Sequence, residues 1–503
     1  MRSRVRLHTM RLPVVFIFHV LGLLSREWLV GVSALGFNWG SISSRPVPPR
    51  IVVQMLKTNH ISKVKLFDAN PDALAALRGS GIEVMVGTPN ELLQSFAEST
   101  AATDAWVSAN LTSYLGKGGA NIRYVAIGNE PFLRAYGTQY QNVTYPAMKN
   151  MYESISKVGL GGQVKVTVPC NADVLLNTPP SKGEFRPDMK VTMTQIAAFL
   201  AQTNAPLLMN IYPFLDLTLD SNFPEDFAFF DGTTHSLVDG PNTYMNALDA
   251  SFDMTVTALA GVGYPNVQVV VGEIGWPTDG APYANVSTAQ RFTQGLVKHV
   301  QSKQGTPLRP GMQIEAYIFS LLDENQKSLL PGNFERHWGV FTFDGQAKYP
   351  LDLSGEDQDS NLSNADDVPY LPTRWCVANR HGNVSELLRN AEYACSSADC
   401  TALSEGGSCS NIGMPDNASY AFNSYYQLNL QDDNSCSFDG LGVVTFVDPS
   451  VGDCRFLIGV SEAGKLSCKF YGVFLMAFLS SYLLRTIFAE VTSSRCPHWN
   501  VVF

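Results

Sequence analysis

Between Leu35 and Leu353, short, β-branched, almost continuously apolar runs alternate with longer helical patterns. No other feature of the chain restricts its fold as strongly. The runs are 35–39 (LGFNW), 63–67 (KVKLF), 82–86 (IEVMV), 122–127 (IRYVAI), 164–168 (VKVTV), 207–211 (LLMNI), 267–271 (VQVVV) and 314–319 (IEAYIF). Strands apolar on both faces are buried on both, as in parallel sheets covered by helices. Helical patterns such as 90–115 and 287–303 fill the intervals. Eight such strands, each followed by helix or loop over about 320 residues, predict a (β/α)8 barrel. An open doubly wound sheet is disfavoured, because no Gly-rich phosphate loop follows any early strand.

The cysteines mark a second unit. Of nine, only Cys170 precedes residue 376, while Cys376, Cys395, Cys400, Cys409, Cys436 and Cys454 crowd together. No CxxC pair and no His at zinc spacing accompanies them, so the pattern reads as a disulfide framework of a secreted chain, with 15 connectivities open. The stretch 354–373 is acidic and polar, the composition of a linker. This gives a barrel over 35–353 and a cysteine-rich module over 374–456.

The N-terminus agrees with secretion. Arg2, Arg4, Arg6 and Arg11 precede the apolar run 12–24, and Val32-Ser33-Ala34 supplies small residues for cleavage, so 1–34 reads as a signal peptide. Six N-x-S/T sequons, at Asn110, Asn142, Asn285, Asn361, Asn383 and Asn417, are candidate glycosylation sites. Only 16% of residues are charged, aromatics reach 11%, and the net charge is −10. That balance excludes a broad nucleic-acid surface and suits a neutral, sugar-like ligand.

Active sites of (β/α)8 barrels lie at the C-terminal ends of the strands. After the fourth strand comes Gly128-Asn129-Glu130-Pro131, and after the seventh Gly272-Glu273-Ile274-Gly275-Trp276-Pro277. Two carboxylates across a barrel mouth are what glycoside hydrolysis requires, one protonated to assist the leaving oxygen and one ionised. Trp276 is expected to stack on a pyranose face. His235 and His337 have no partners at ligand spacing, so no metal is expected, nor any cofactor. Cys170 reads as a buried free thiol.

With these blocks assembled, the chain resembles a plant β-1,3-glucanase of glycoside hydrolase family 17 with a C-terminal cysteine-rich β-1,3-glucan-binding module. The barrel resemblance rests on GFNWG (36–40), VKLFDANP (64–71), VAIGNEPF (125–132), MNIYPF (209–214), VVVGEIGWPTDG (269–280) and ERHWGVF (335–341). The module resemblance rests on RWCVAN (374–379), NSYYQ (423–427) and the six cysteines. It implies Glu130 as acid/base and Glu273 as nucleophile of a retaining enzyme. It also implies substrate contacts from Asn129, Tyr212, Phe214, Trp276, Glu324, Lys327 and Glu335, with Lys327 holding the nucleophile charged. Three bridges are implied in the module, where Trp375, Tyr425, Tyr426, Phe438 and Phe446 are candidates for a stacking face. Two departures stand out. Phe67 replaces a usual Tyr, and Asp323 in LLDEN replaces a usual Asn; both changes are expected to touch substrate contacts.

The expected function is therefore endo-acting hydrolysis of β-1,3-glucan by a monomer at the cell surface or in the cell wall. A non-catalytic glucan-binding surface protein and a glucan transglycosylase remain the alternatives. Beyond residue 456, the apolar run 470–484 follows small residues but is itself followed by 19 more. Three readings stay open: a lipid-anchor signal, a short span, or an atypical gene-model end.

Overall fold

The computed structural model describes residues 34–356 and 361–461. The proposed leader, the apolar run 470–484, Cys468 and Cys496 lie outside the described residues.

All eight expected strands form, at β1 (Leu35–Trp39), β2 (Lys63–Leu66), β3 (Glu83–Thr88), β4 (Asn121–Ile127), β5 (Lys165–Thr167), β7 (Leu207–Asn210), β8 (Val269–Ile274) and β9 (Ala316–Ile318). A ninth segment, β6 (Pro169–Asn171), continues β5 after a break at Val168, where Pro169 has no N–H to give to a ladder. The order is β5-β4-β3-β2-β1-β9-β8-β7-β6, every pairing parallel. Because β5 and β6 are halves of one strand, the sheet closes into an eight-stranded barrel.

Alternation along each strand sorts side chains between two cores. Outward residues such as Val64, Val86, Val125 and Val271 join the large layer between barrel and helices. That layer receives Ile51, Val52, Val53, Met55 and Leu56 of α1 (Pro49–Thr58). Inward residues Met85, Ala126, Leu208, Val270 and Tyr317 fill the lower barrel. Above them the interior turns polar, with Asn38, Lys65, Asn210 and Glu273 all buried.

The pattern over 90–115 is not one helix. A 3-10 turn leads into α2 (Leu93–Glu98), Ser99 adopts extended backbone (φ −146°, ψ 118°), and α3 (Thr100–Val107) starts anew. The pattern near 287–303 is continuous as α4 (Val286–Gln301), started by a capping box in which Asn285 accepts the Thr288 N–H.

The cysteine-rich unit has its own core of Cys376, Leu387, Ala394, Phe422, Tyr426 and Phe438. It holds α5 (Val384–Cys395), α6 (Asp416–Leu428) and an antiparallel hairpin of β10 (Trp375–Ala378) with β11 (Gly442–Thr445). Three bridges staple it: Cys376–Cys436, Cys395–Cys400 and Cys409–Cys454. The connection to the barrel is less solvated than its composition predicts. Asn59 pairs with both backbone groups of Ser363, at 2.7 and 3.0 Å, and Leu362 and Ala365 sink into the barrel core. Two apolar residues thus seat an otherwise polar stretch.

Candidate active site

The site begins with two local departures from regular strand. In β8, Val270 points inward and Val271 outward, so unbroken alternation would send Glu273 outward as well. A register shift between Val271 and Glu273, at Gly272, turns the Glu273 side chain into the barrel. After β4, Gly128 (φ 69°) and Glu130 (φ 47°) both take left-handed backbone. Glycine accepts this freely, whereas for Glu130 it is local strain of the kind that collects at functional sites. The Glu130 N–H is anchored on the Pro169 carbonyl at 3.1 Å.

The two glutamates line one cleft of about 720 Å³ with Asn129, Tyr212, Glu324, Lys327 and Glu335. Their surroundings differ. Glu273 receives the Lys65 ammonium at 2.7 Å on Oε1 and the Tyr212 hydroxyl at 2.6 Å on Oε2. Burial, with the Glu273 charge beside it, pushes the Tyr212 phenol well above its ordinary pKa, so this hydroxyl stays a donor. Glu130 accepts one neutral bond, from the Asn210 amide at 2.8 Å. Burial first, and the Glu273 charge second, raise the Glu130 pKa to about 7. One carboxyl thus holds a proton near neutrality beside another that is ion-paired.

Lys65 takes the part expected of Lys327. It lies fully inside the barrel, bonded also to Asn38 Oδ1 at 3.0 Å, with the Phe67 ring 4.1 Å from its nitrogen. Lys327 instead pairs with Glu335 at 2.7 Å and sits over Phe319 at 4.4 Å, forming a side wall. Glu324 accepts the Ile42 N–H at 2.8 Å from the same wall.

Three expected contacts are corrected. Phe214 and Trp276 point away from the cleft into the outer core, where their rings meet at 5.2 Å and the Trp276 N–H donates to the Tyr283 carbonyl. Both follow a strand end, and both side chains join the large apolar layer. The aromatic lining comes instead from Trp39, Phe67, Tyr212, Phe319 and Trp338. Asp323 is no substrate contact either: it is buried, ion-paired with Lys348 at 2.6 Å and bonded to the Gly339 N–H. Phe67 does line the cleft.

Among the described residues no cluster of His, Cys, Asp and Glu could hold a metal ion. His235 is exposed and bonded to Asp226 at 2.9 Å, while His337 reaches Thr401 of the cysteine-rich unit at 2.6 Å. Cys170 is a buried free thiol, its pKa raised by burial. In the small unit, Trp375, Tyr426 and Phe438 are core residues, but Tyr425 meets the exposed Tyr393 with ring centres 5.6 Å apart. Together with Asn390, Asn429 and Asp439 they border a shallow groove. Phe446 is exposed elsewhere. Of the sequons, Asn142, Asn285, Asn361 and Asn383 are exposed, and Asn110 and Asn417 half-buried.

The model of glycosyl hydrolases family 17 matches residues 35–353, and that of the X8 domain matches 374–443. Glucan endo-1,3-beta-glucosidase 8 of Arabidopsis thaliana is 47% identical over 462 residues, covering 90% of this chain and 95% of that relative. Glucan endo-1,3-beta-glucosidase 5 of the same plant is 47% identical over 453 residues, covering 89% and 93%. The solved structure of CJP38, a β-1,3-glucanase and allergen of Cryptomeria japonica pollen, superposes with a TM-score of 0.61 at 36% identity, covering 64% of this chain and 99% of that one. The matched region spans the whole barrel and both glutamate-bearing strand ends, so this chain belongs to glycosyl hydrolase family 17, with an X8 domain behind its barrel.

Proposed function

We propose that the protein is an endo-acting β-1,3-glucan hydrolase that works by double displacement. The observation that carries this reading is the contrast between the two cleft carboxyls. Glu130, with a pKa near 7, protonates the leaving glycosidic oxygen. Glu273, held by Lys65 and Tyr212, attacks the anomeric carbon, and Glu130 then deprotonates the water that resolves the glycosyl-enzyme. Asn129, Glu324, Lys327 and Glu335 bind flanking sugar hydroxyls, and the Tyr393–Tyr425 face of the X8 domain stacks on a glucan chain.

Purified protein is expected to release reducing sugar from linear β-1,3-glucan, and the Glu273→Gln variant to release none. Glucan binding without release from the parent protein would instead support a non-catalytic binding role.

The leader and sequons support a secreted glycoprotein, and the small residues before the apolar run support a lipid anchor on the outer membrane face. Among the described residues no helix is long and apolar enough to cross a membrane. Release of the protein from membranes by a phosphatidylinositol-specific phospholipase checks the anchor; retention until 470–503 is removed points to a peptide span.

A further inference from the structure

The X8 domain does not hang from the far end of the barrel. It sits on the active-site rim, against the loops that follow β8 and β9. Asp279, six residues past Glu273, accepts both the backbone N–H and the hydroxyl of Ser408, at 2.7 and 2.5 Å. Gly406 (φ 79°) lies so close to that loop that a Cβ there would come within 2.7 Å of the Ala281 carbonyl carbon and the Pro282 nitrogen.

The second contact bears on the cleft itself. Residues 327–338 form one wall, through Lys327, Leu330, Pro331, Glu335 and Trp338. Arg336 stands behind that wall. Its Nε donates to the Lys327 carbonyl at 2.9 Å, and its Nη1 donates to Asp399 of the X8 domain at 3.1 Å. Asp399 Oδ1 also accepts the N–H and hydroxyl of Thr401, at 3.1 and 2.7 Å. With its hydrogen given to Asp399, the Thr401 oxygen accepts from His337 Nε2 at 2.6 Å. Asn333 donates to Ser404 at 2.7 Å. Three residues of the wall segment are thus fastened to one short X8 loop, whose start is closed by the Cys395–Cys400 bridge.

From this geometry we propose that the X8 domain is a structural part of the active site, with Asp399 acting through Arg336 to position the Lys327–Glu335 wall. The inference rests on the proposed function and adds a role for the domain beyond holding glucan. Asp399 and Arg336 are positioning residues, since neither lines the cleft. A mostly buried charge pair loses most of its effect when either partner is removed, and small displacements of a binding wall weaken oriented binding.

The test uses the full chain and a short soluble β-1,3-linked pentasaccharide. In Asp399→Ala and in Arg336→Ala, KM is expected to rise about tenfold with kcat much less affected, and the double variant to be no worse than either single one. A single cooperative melting transition and binding to insoluble β-1,3-glucan near the parent value should be retained, which separates a displaced wall from an unfolded domain. Unchanged KM in the single variants, or losses that multiply in the double, would overturn the proposal. Pentasaccharide affinity is also read in a Glu273→Gln background, where Asp399→Ala is expected to weaken it about tenfold. That arm judges the wall even if the parent chain hydrolyses nothing, an outcome that would count against the proposed function alone.

Discussion

At the scale of single residues, the site depends on a lysine inside a strand. Lys65 is encased by the barrel and offsets the Glu273 charge at 2.7 Å, so its removal leaves a buried carboxylate without its cation. Lys65→Met is expected to lower kcat about 100-fold or more, with KM little changed, in steady-state assays on soluble glucan. Glu130 makes a prediction about pH. Its folded pKa, about 7, exceeds that of a carboxyl in the unfolded chain, so the folded state holds a proton that the unfolded state gives up. This contribution to stability is fully present below the unfolded pKa and is lost as pH rises through about 7. Glu130→Gln should therefore be more stable than the parent at pH 8, by roughly 3 kcal/mol, with the gap closing near pH 4. Equal melting at both pH values would contradict the shift. Catalysis in the parent should fall over the same rise, as the acid is lost. Both glutamates were legible from their Gly- and Pro-flanked places after strands. Lys65 was not, because KVKLF reads as one more apolar run. Yet Lys63 and Lys65 share one parity and Val64 and Leu66 the other, and both lysines face carboxylates: Glu315 for Lys63, at 2.7 Å, and Glu273 for Lys65. Two lysines in phase within a buried strand were the available signal. Trp276 misled for the converse reason, since an aromatic beside a cleft carboxylate need not share its face.

At the scale of elements, the strands were readable because burial on both faces writes itself as unbroken apolar sequence. The bulge at Gly272 was not, since it depends on the register of neighbouring strands. The disulfide pairing likewise needed three dimensions. The small unit has a separate core, and residues 369–461 run together through the Leu371–Gly459 and Ser461–Pro369 backbone bonds. A fragment of 369–461 is expected to fold alone when oxidised and to unfold on reduction, each bridge being worth about 2–5 kcal/mol. Retained near-ultraviolet circular dichroism after full reduction would contradict this. Asn285 carries two functions in one side chain, as a sequon and as the cap of α4. Asn285→Ala should cost about 1 kcal/mol in unfolding experiments on unglycosylated protein, whereas Ser287→Ala, which removes only the sequon, should cost little.

At the scale of the whole molecule, a closed barrel presents two strand ends across one cleft, and its loops take up a second domain on the same rim. The polar stretch before that domain reads in the sequence as a linker; its docking through Leu362, Ala365 and Asn59 does not show there, because two apolar residues do not change a composition. The proposed mechanism unites these parts through a division of labour between two carboxyls, which retention requires to stand about 5–5.5 Å apart. The most direct test is the configuration of the product formed by Glu273→Gly with an activated β-glucoside of β-1,3-linked glucose and added azide. With the nucleophile gone and its space open, azide attacks from that side, and the account predicts an α-glycosyl azide. A β-glycosyl azide from this variant, with the α-product appearing from Glu130→Ala, would reverse the two roles and contradict it.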